Sequence, residues 1–426
     1  MTPSHRHWLL FGGALVGYLL LMLTNPIRAS LLDGMRCVRR YKQLWSILAL
    51  FGLGYALFQC ALRIFYCFVL PEGERPGFVW NFRWTFPKAP ARLAEAHTIR
   101  DWWLALCADP RFILIKDSAL EAAESLAGVF NNVVTTFPFS AVAAVMLLGN
   151  YDDHHTTLRR TLRKRFGNLG WLIYFGILIC AVSAIIKPVL FGPSLPALNR
   201  IAPGLLLVRW SEMINWLSFL FEYLFGVCVQ IYLILIVFAW VRGLTWTRAH
   251  LLDVAIRRFA FVVKWASVVM LASTLLMDLP RIFAMRWRFE DTRFIQKTLA
   301  YIDNVARPLL ALFLIFFATM QITLSFHSES FRKAMRDHFH FLRRHKWPFI
   351  WFLLIAALHF FLASFLNKSI VLGFGDETAT ALLWSFIYPL LAAAIAAWML
   401  ATWVCLFKRL DDGRRENGNG NNRLRI

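Results

Sequence analysis

Residues 338–366 read "HFHFLRRHKWPFIWFLLIAALHFFLASFL". A basic, aromatic stretch gives way at Trp347 and Pro348 to a run, 349–366, whose single ionisable side chain is His359. A helix needs ~20 mostly apolar residues to cross the hydrocarbon core of a bilayer, and tryptophan collects where that core begins. The stretch therefore predicts a membrane-spanning helix entered from a cationic surface.

Comparable apolar runs recur along the chain. Spans are expected at 8–24, 45–70, 126–149, 171–191, 214–241, 261–279, 305–326, 348–366 and 380–407. The composition of all 426 residues agrees, with 59 % hydrophobic, 17 % charged and a mean hydropathy of +0.55. Soluble domains lie nearer about half apolar and a quarter charged. The run at 8–24 reads as an uncleaved anchor, because its n-region is poor and "LTNPIRAS" offers no small-residue cleavage site. Cys37, Cys60, Cys67, Cys107, Cys180, Cys228 and Cys405 form no C-x-x-C pair and mostly sit in apolar runs. They read as small buried hydrophobes, with no disulfide framework, no metal site and no cofactor implied.

The net charge of +21 is not spread evenly. Residues 28–44, 151–170, 242–264, 327–346 and 408–426 carry +4, +3, +4, +4 and +3, together +18. With nine spans these five segments fall on one side of the membrane. By the positive-inside rule that side is the cytoplasm of a plasma or inner membrane, with the N-terminus outside and the C-terminus inside. The 71–125 connection, seven basic residues against eight acidic, then lies outside.

The four basic connections repeat a pattern. Each begins near a Ser or Thr able to cap a helix (Ser30, Thr156, Thr247, Ser330). Each continues to a basic cluster with an aromatic: "RRY" at 39–41, "RKRF" at 163–166, "RRF" at 257–259 and "HFHFLRRHK" at 338–346. Trp45, Trp171, Trp265 and Trp347 then open the next span. The expected fold is an all-α polytopic transmembrane helix bundle built from four span–basic elbow helix–span repeats plus a final helix. Its parts are a first helical hairpin (1–70), an extracytoplasmic aromatic and amphipathic cap (71–125), the remaining bundle (126–407) and a cytoplasmic disordered tail (408–426). The elbows suit anionic lipid headgroups, or acidic protein subunits, as partners. Nucleic acid is not expected, since no basic folded domain stands outside the spans.

In the cap, "PGFVWNFRWTFP" at 76–87 places Phe78, Trp80, Phe82, Trp84 and Phe86 on one side of an extended chain. These rings are expected at the outer interface, against headgroups or the helix above the spans; a sugar, lipid or peptide platform is the functional alternative. "ARLAEAHTIRDWWLALC" at 91–107 reads as an amphipathic helix, and "SALEAAESLAG" at 118–128 as a capped helix leading into the third span.

Ionisable residues inside a span need a reason. His359 suits either a structural bond to a neighbouring helix or contact with a substrate or proton. Arg63, Lys187, Glu222 and Asp278 lie toward outward span ends, where they can pair in a polar pocket or reach the interface. In "FNNVVTTFPFS" at 130–140, Asn131 stacks on Thr135 and Asn132 on Thr136, one turn apart, and Pro138 frees a carbonyl. Such a helix builds a binding path or joins helices. Asn131, Asn132, Thr135, Glu222 and His359 are therefore the expected lining of any substrate path. Acids, bases or metal ligands do not converge at tight spacing, so the expected function is non-enzymatic: a membrane-embedded subunit or scaffold, or a transporter of a small or amphiphilic substrate. An enzyme acting on a lipid-linked substrate at the outer interface is the alternative.

Overall fold

The structure is a computed structural model that describes residues 17–18, 21–22, 24–69, 98, 109–131, 217, 223, 226–287, 291–326, 330–374 and 379–416. The described residues are helical, with no strand among them. The helices are α1 (Arg28–Arg40), α2 (Lys42–Val69), α3 (Pro110–Asn131) and α4 (Gly226–Val241), then α5 (Arg248–Ser273) and α6 (Leu279–Trp287). They are followed by α7 (Thr292–Tyr301), α8 (Arg307–Phe316), α9 (Met320–Phe326), α10 (Phe331–Phe374) and α11 (Ala379–Glu416). Among the described residues, four segments are long and apolar enough to cross a membrane: Arg257–Ala284, Thr292–Phe316, Phe331–Phe374 and Thr380–Asp411. The expected spans at 261–279, 348–366 and 380–407 lie within three of them.

The bundle is organised around α4. From Val229 to Ala239 every side chain on it is buried, whichever way it points. A helix that is apolar all round belongs inside other helices. Around it, α3 packs along α10 and α8, while α11 packs along α1, α2 and α10. Phe130, Phe341, Phe349, Phe352 and Trp403 fill the space between α3, α10 and α11, with ring centroids 5.1–6.5 Å apart in the contacting pairs. The outward faces carry the opposite pattern. Leu271, Leu275, Leu279 and Phe283 form one exposed stripe, Val305, Leu309, Leu312 and Phe316 a second, and Leu383, Ile387 and Leu391 a third. Apolar stripes of this extent on several helices suit hydrocarbon and not water.

Proline sets the shape of the long helices. Two five-residue π turns, Thr274–Asp278 and Ile302–Ala306, pack on each other, and each precedes a proline by two residues. Leu279 N–H bonds Thr274 O and Arg307 N–H bonds Ile302 O, five residues back. Pro280 and Pro308 donate no hydrogen bond, and the wider turn accommodates the missing partner. In α10 the backbone leaves helical geometry at His345 (φ −118, ψ 29), just before Pro348.

Several expectations are corrected. Among the described residues a bend follows the basic stretch in two connections: α1 breaks at Tyr41 before α2, and α10 kinks at His345. In the third connection there is no bend. Thr247 caps His250 N–H at 3.3 Å, but α5 then runs unbroken from elbow into span, since no proline or glycine interrupts it. Ser30 is not a cap, because α1 starts at Arg28 and Asn25 Oδ1 takes the Ile27 N–H instead. The segment at 305–326 is not one helix but breaks at 317–319. Helix α3 begins at Pro110 and not Ser118, because Asp109 accepts the Arg111 N–H at 2.8 Å and proline suits the first turn. Trp347 is 65 % exposed, as an interfacial tryptophan should be, whereas Trp265 is 1 % exposed and Trp45 donates its indole N–H to Leu390 O in α11. An indole inside a bundle is held by its acceptor, not by the headgroup layer.

The expected features at 70–97, 99–108, 132–216 and 417–426 lie outside the described residues. They include the five aromatic rings at Phe78, Trp80, Phe82, Trp84 and Phe86, and also Asn132, Thr135 and Lys187.

Two close contacts yield tests. A Cβ at Gly34 would stand 2.4 Å from Thr402 Oγ1 and 2.8 Å from Thr402 N, and one at Gly52 would stand 2.3 Å from Pro389 Cβ. Gly34→Ala is expected to lower stability in detergent by about 1–3 kcal/mol, measured by thermal unfolding, because the obstructing backbone nitrogen cannot rotate away. Burial pushes the Cys37 thiol up to about 12. Its thiolate is then nearly absent at neutral pH, so maleimide is expected to leave Cys37 unmodified until the protein is denatured, as mass spectrometry of labelled peptides would show.

Candidate functional site

Of the expected path residues, the structure describes Asn131 and His359. Asn131 stands at the end of α3, buried. Its Nδ2 donates to Leu314 O at 2.9 Å and its Oδ1 accepts the Trp265 indole N–H at 2.7 Å. The first bond has a clear cause. Where α8 ends, Ala318 N–H turns to Ile315 O, so the Leu314 carbonyl lacks its helical donor. Asn131 supplies that donor from another helix. Gln230 donates its amide to Gly128 O and Val129 O of α3, at 3.2 and 2.7 Å. Gln321 Nε2 in turn donates to Gln230 Oε1.

His359 lies elsewhere. Its Nδ1 is 2.7 Å from Ile355 O, which only accepts, so Nδ1 carries the proton. Nε2 then accepts from the Tyr18 hydroxyl at 2.7 Å, and the Trp398 ring packs edge-on 5.0 Å away. No described bond joins His359 to Asn131. Glu222 lies outside the described residues. Of the expected polar pairing set, Arg63 is described by backbone alone and Lys187 lies outside, while Asp278 ends the first π turn.

The structure brings together charges that sequence reasoning had placed in the outer cap. Glu121 on α3 accepts the Ser364 hydroxyl at 2.8 Å and the Tyr388 hydroxyl at 3.2 Å, with Lys368 Nζ 3.2 Å from Oε2. One turn on, Glu124 pairs with Arg307 at 2.8 Å, and Arg307 also meets Asp303 at 3.2 Å. Two carboxylates of α3 thus tie it to α8, α10 and α11. The signal in the sequence was faint: acidic residues at the end of an apolar helix read as exposed, and their partners are remote in the chain.

A second polar layer lies at the other end of α11. Lys408 is wholly buried, its Nζ 3.6 Å from Asp411 and 6.0 Å from the centre of the Phe238 ring. Arg409 pairs with Asp33 of α1, and Arg36 stands 3.5 Å from the same carboxylate. Tyr388 and Lys408 are separated along α11 by about 30 Å at 1.5 Å per residue, the thickness of a hydrocarbon core. The two polar layers therefore bracket an apolar slab that a bilayer fits.

No family model matches the chain, and neither a curated protein nor a solved structure matches it. Among the described residues no group of three or more His, Cys, Asp or Glu side chains is placed to hold a metal ion.

Asn131→Ala strands both the Leu314 carbonyl and the Trp265 indole. The expected loss is about 1–3 kcal/mol, read by thermal unfolding in detergent. Combined with Trp265→Phe, the loss should fall below the sum of the single variants by more than about 0.5 kcal/mol, because the two side chains share a bond.

Proposed function

We propose that the protein is a multi-pass integral membrane protein, non-enzymatic, acting as a membrane-embedded subunit or scaffold, with its basic face in the cytoplasm. The observation that carries this reading is the use of its interior polar groups. Asn131, Gln230, Gln321 and His359 bond neighbouring segments, and aromatic rings fill the space between α3, α10 and α11. Side chains so engaged hold a bundle in one shape, which suits a part that other chains assemble on. The basic elbows, with Arg36, Arg39, Arg40, Arg332 and Lys333 exposed, suit anionic headgroups or an acidic partner subunit.

Transport of a small or amphiphilic substrate is the second reading. The Glu121–Lys368 pair favours it, since both side chains remain about one-third accessible (33 % and 30 %) within the bundle.

Extraction of the untagged chain's native complex into lipid nanodiscs, followed by mass measurement, separates the two. A fixed heteromeric mass is expected. A particle containing this chain alone, together with substrate flux in proteoliposomes that Asn131→Ala with Glu222→Ala abolishes, would replace the subunit reading with transport.

A further inference from the structure

At the basic end of the bundle, residues of α1, α4 and α11 line an open cavity of about 320 Å³: Asp33, Trp240, Val241, Cys405 and Arg409. We propose that this cavity binds the headgroup of an amine-bearing phosphodiester, with the ammonium at Asp33 and the phosphate at Arg409. The volume lies at the lower end of the range for small-molecule pockets, which suits a headgroup.

The charges are arranged for a ligand carrying both signs. Among the described residues of the lining, Asp33 is the only acid and Arg409 the only cation. Arg409 directs Nη2 to Asp33 and is 45 % exposed, so its remaining guanidinium donors face open space. Arg36, 72 % exposed and outside the described lining, stands 3.5 Å from the other oxygen of the same carboxylate. A guanidinium fork matches phosphate oxygens in shape as well as charge. An ammonium, in contrast, has one anionic partner among the described lining residues, the 20 % exposed Asp33 carboxylate. A site for anionic lipid in general would need no acid in its wall. Asp33 is what selects an amine.

Depth supports the same assignment. Arg409 follows Tyr388 by about 30 Å of helix, so the cavity lies one hydrocarbon thickness from the Glu121 layer, where headgroups are. The rest of the wall is the half-buried Trp240, Val241 and the buried Cys405. These provide the less polar surface that a glycerol backbone meets. One turn away along α11, Gly34 touches Thr402 and brings α1 and α11 into backbone contact, which holds Asp33 against Arg409. The inference does not depend on the subunit reading, since a scaffold and a transporter would each retain such a lipid.

The test uses the full chain in detergent micelles, with native mass spectrometry counting retained lipid. The probes are dioleoyl phosphatidylethanolamine, dioleoyl phosphatidylglycerol and soluble O-phosphoethanolamine. Wild type is expected to retain the ethanolamine lipid about tenfold better than the glycerol lipid, the loss of one charge-assisted contact. Asp33→Asn should remove the preference and leave glycerol-lipid retention unchanged. Arg409→Gln should weaken retention of both lipids. Arg409→Lys, which keeps the ion pair with Asp33, should weaken it less, and its thermal unfolding serves as the check on folding. Displacement by millimolar O-phosphoethanolamine would assign the site to the phosphoamine itself, and failure to displace would assign it to the intact lipid. Equal retention of the two lipids by wild type, or a preference that survives Asp33→Asn in a folded variant, would overturn the proposal.

Discussion

A carbonyl freed inside a bilayer has no water to accept from, so each break in a helix must be answered by another part of the protein. This requirement explains much of what holds the bundle together. Where α8 ends at Phe316, Leu314 O would be left bare, and Asn131 reaches it from α3. Gln230 reaches from α4 to Gly128 O and Val129 O of α3. Pro280 and Pro308 are answered differently, by widening the preceding turn so that the bonds run five residues back. Asn131 and Gln230 join α3 to α8 and to α4.

Charge follows the same logic at larger scale. Glu121 and Glu124 face Lys368 and Arg307 across helix boundaries. At the opposite end, Lys408 lies buried beside Asp411 and an aromatic ring, and Asp33 joins α1 to α11 through Arg409. An unpaired charge at either depth would carry a large desolvation penalty, and a paired one specifies which helices are neighbours. Between these layers aromatic and aliphatic packing is joined by the bonds of Asn131, Gln230, Gln321 and His359, and the outward faces are leucine-rich. The bundle therefore presents hydrocarbon sideways and polarity at its two ends.

Local rules succeeded where the cause was local. The apolar run after Trp347 became a long helix, the cap at Thr247 formed, and Trp347 stayed exposed. They failed where a neighbour decided. Trp265 and Trp45, alike in sequence to Trp347, are engaged by Asn131 and Leu390. Ser30 looked like a cap, yet α1 starts before it, at Arg28, after a turn in which Asn25 Oδ1 accepts the Ile27 N–H. The run at 305–326 looked continuous, yet it breaks at 317–319, where Thr319 bonds His338 of α10 at 2.8 Å.

Hydrophobicity and charge are sums over neighbouring residues, and for that reason the sequence by itself determined that this chain consists of apolar helices suited to a bilayer, with cationic segments between them. Which polar groups meet is a property of pairs brought together across the bundle. Glu121 and Tyr388 are 267 residues apart, Asp33 and Arg409 are 376 apart, and nothing in the spacing of either pair announces it. Only the tertiary structure decided that Asn131 would close a broken helix, that His359 would accept from Tyr18, and that an acid and a guanidinium would share the wall of one cavity.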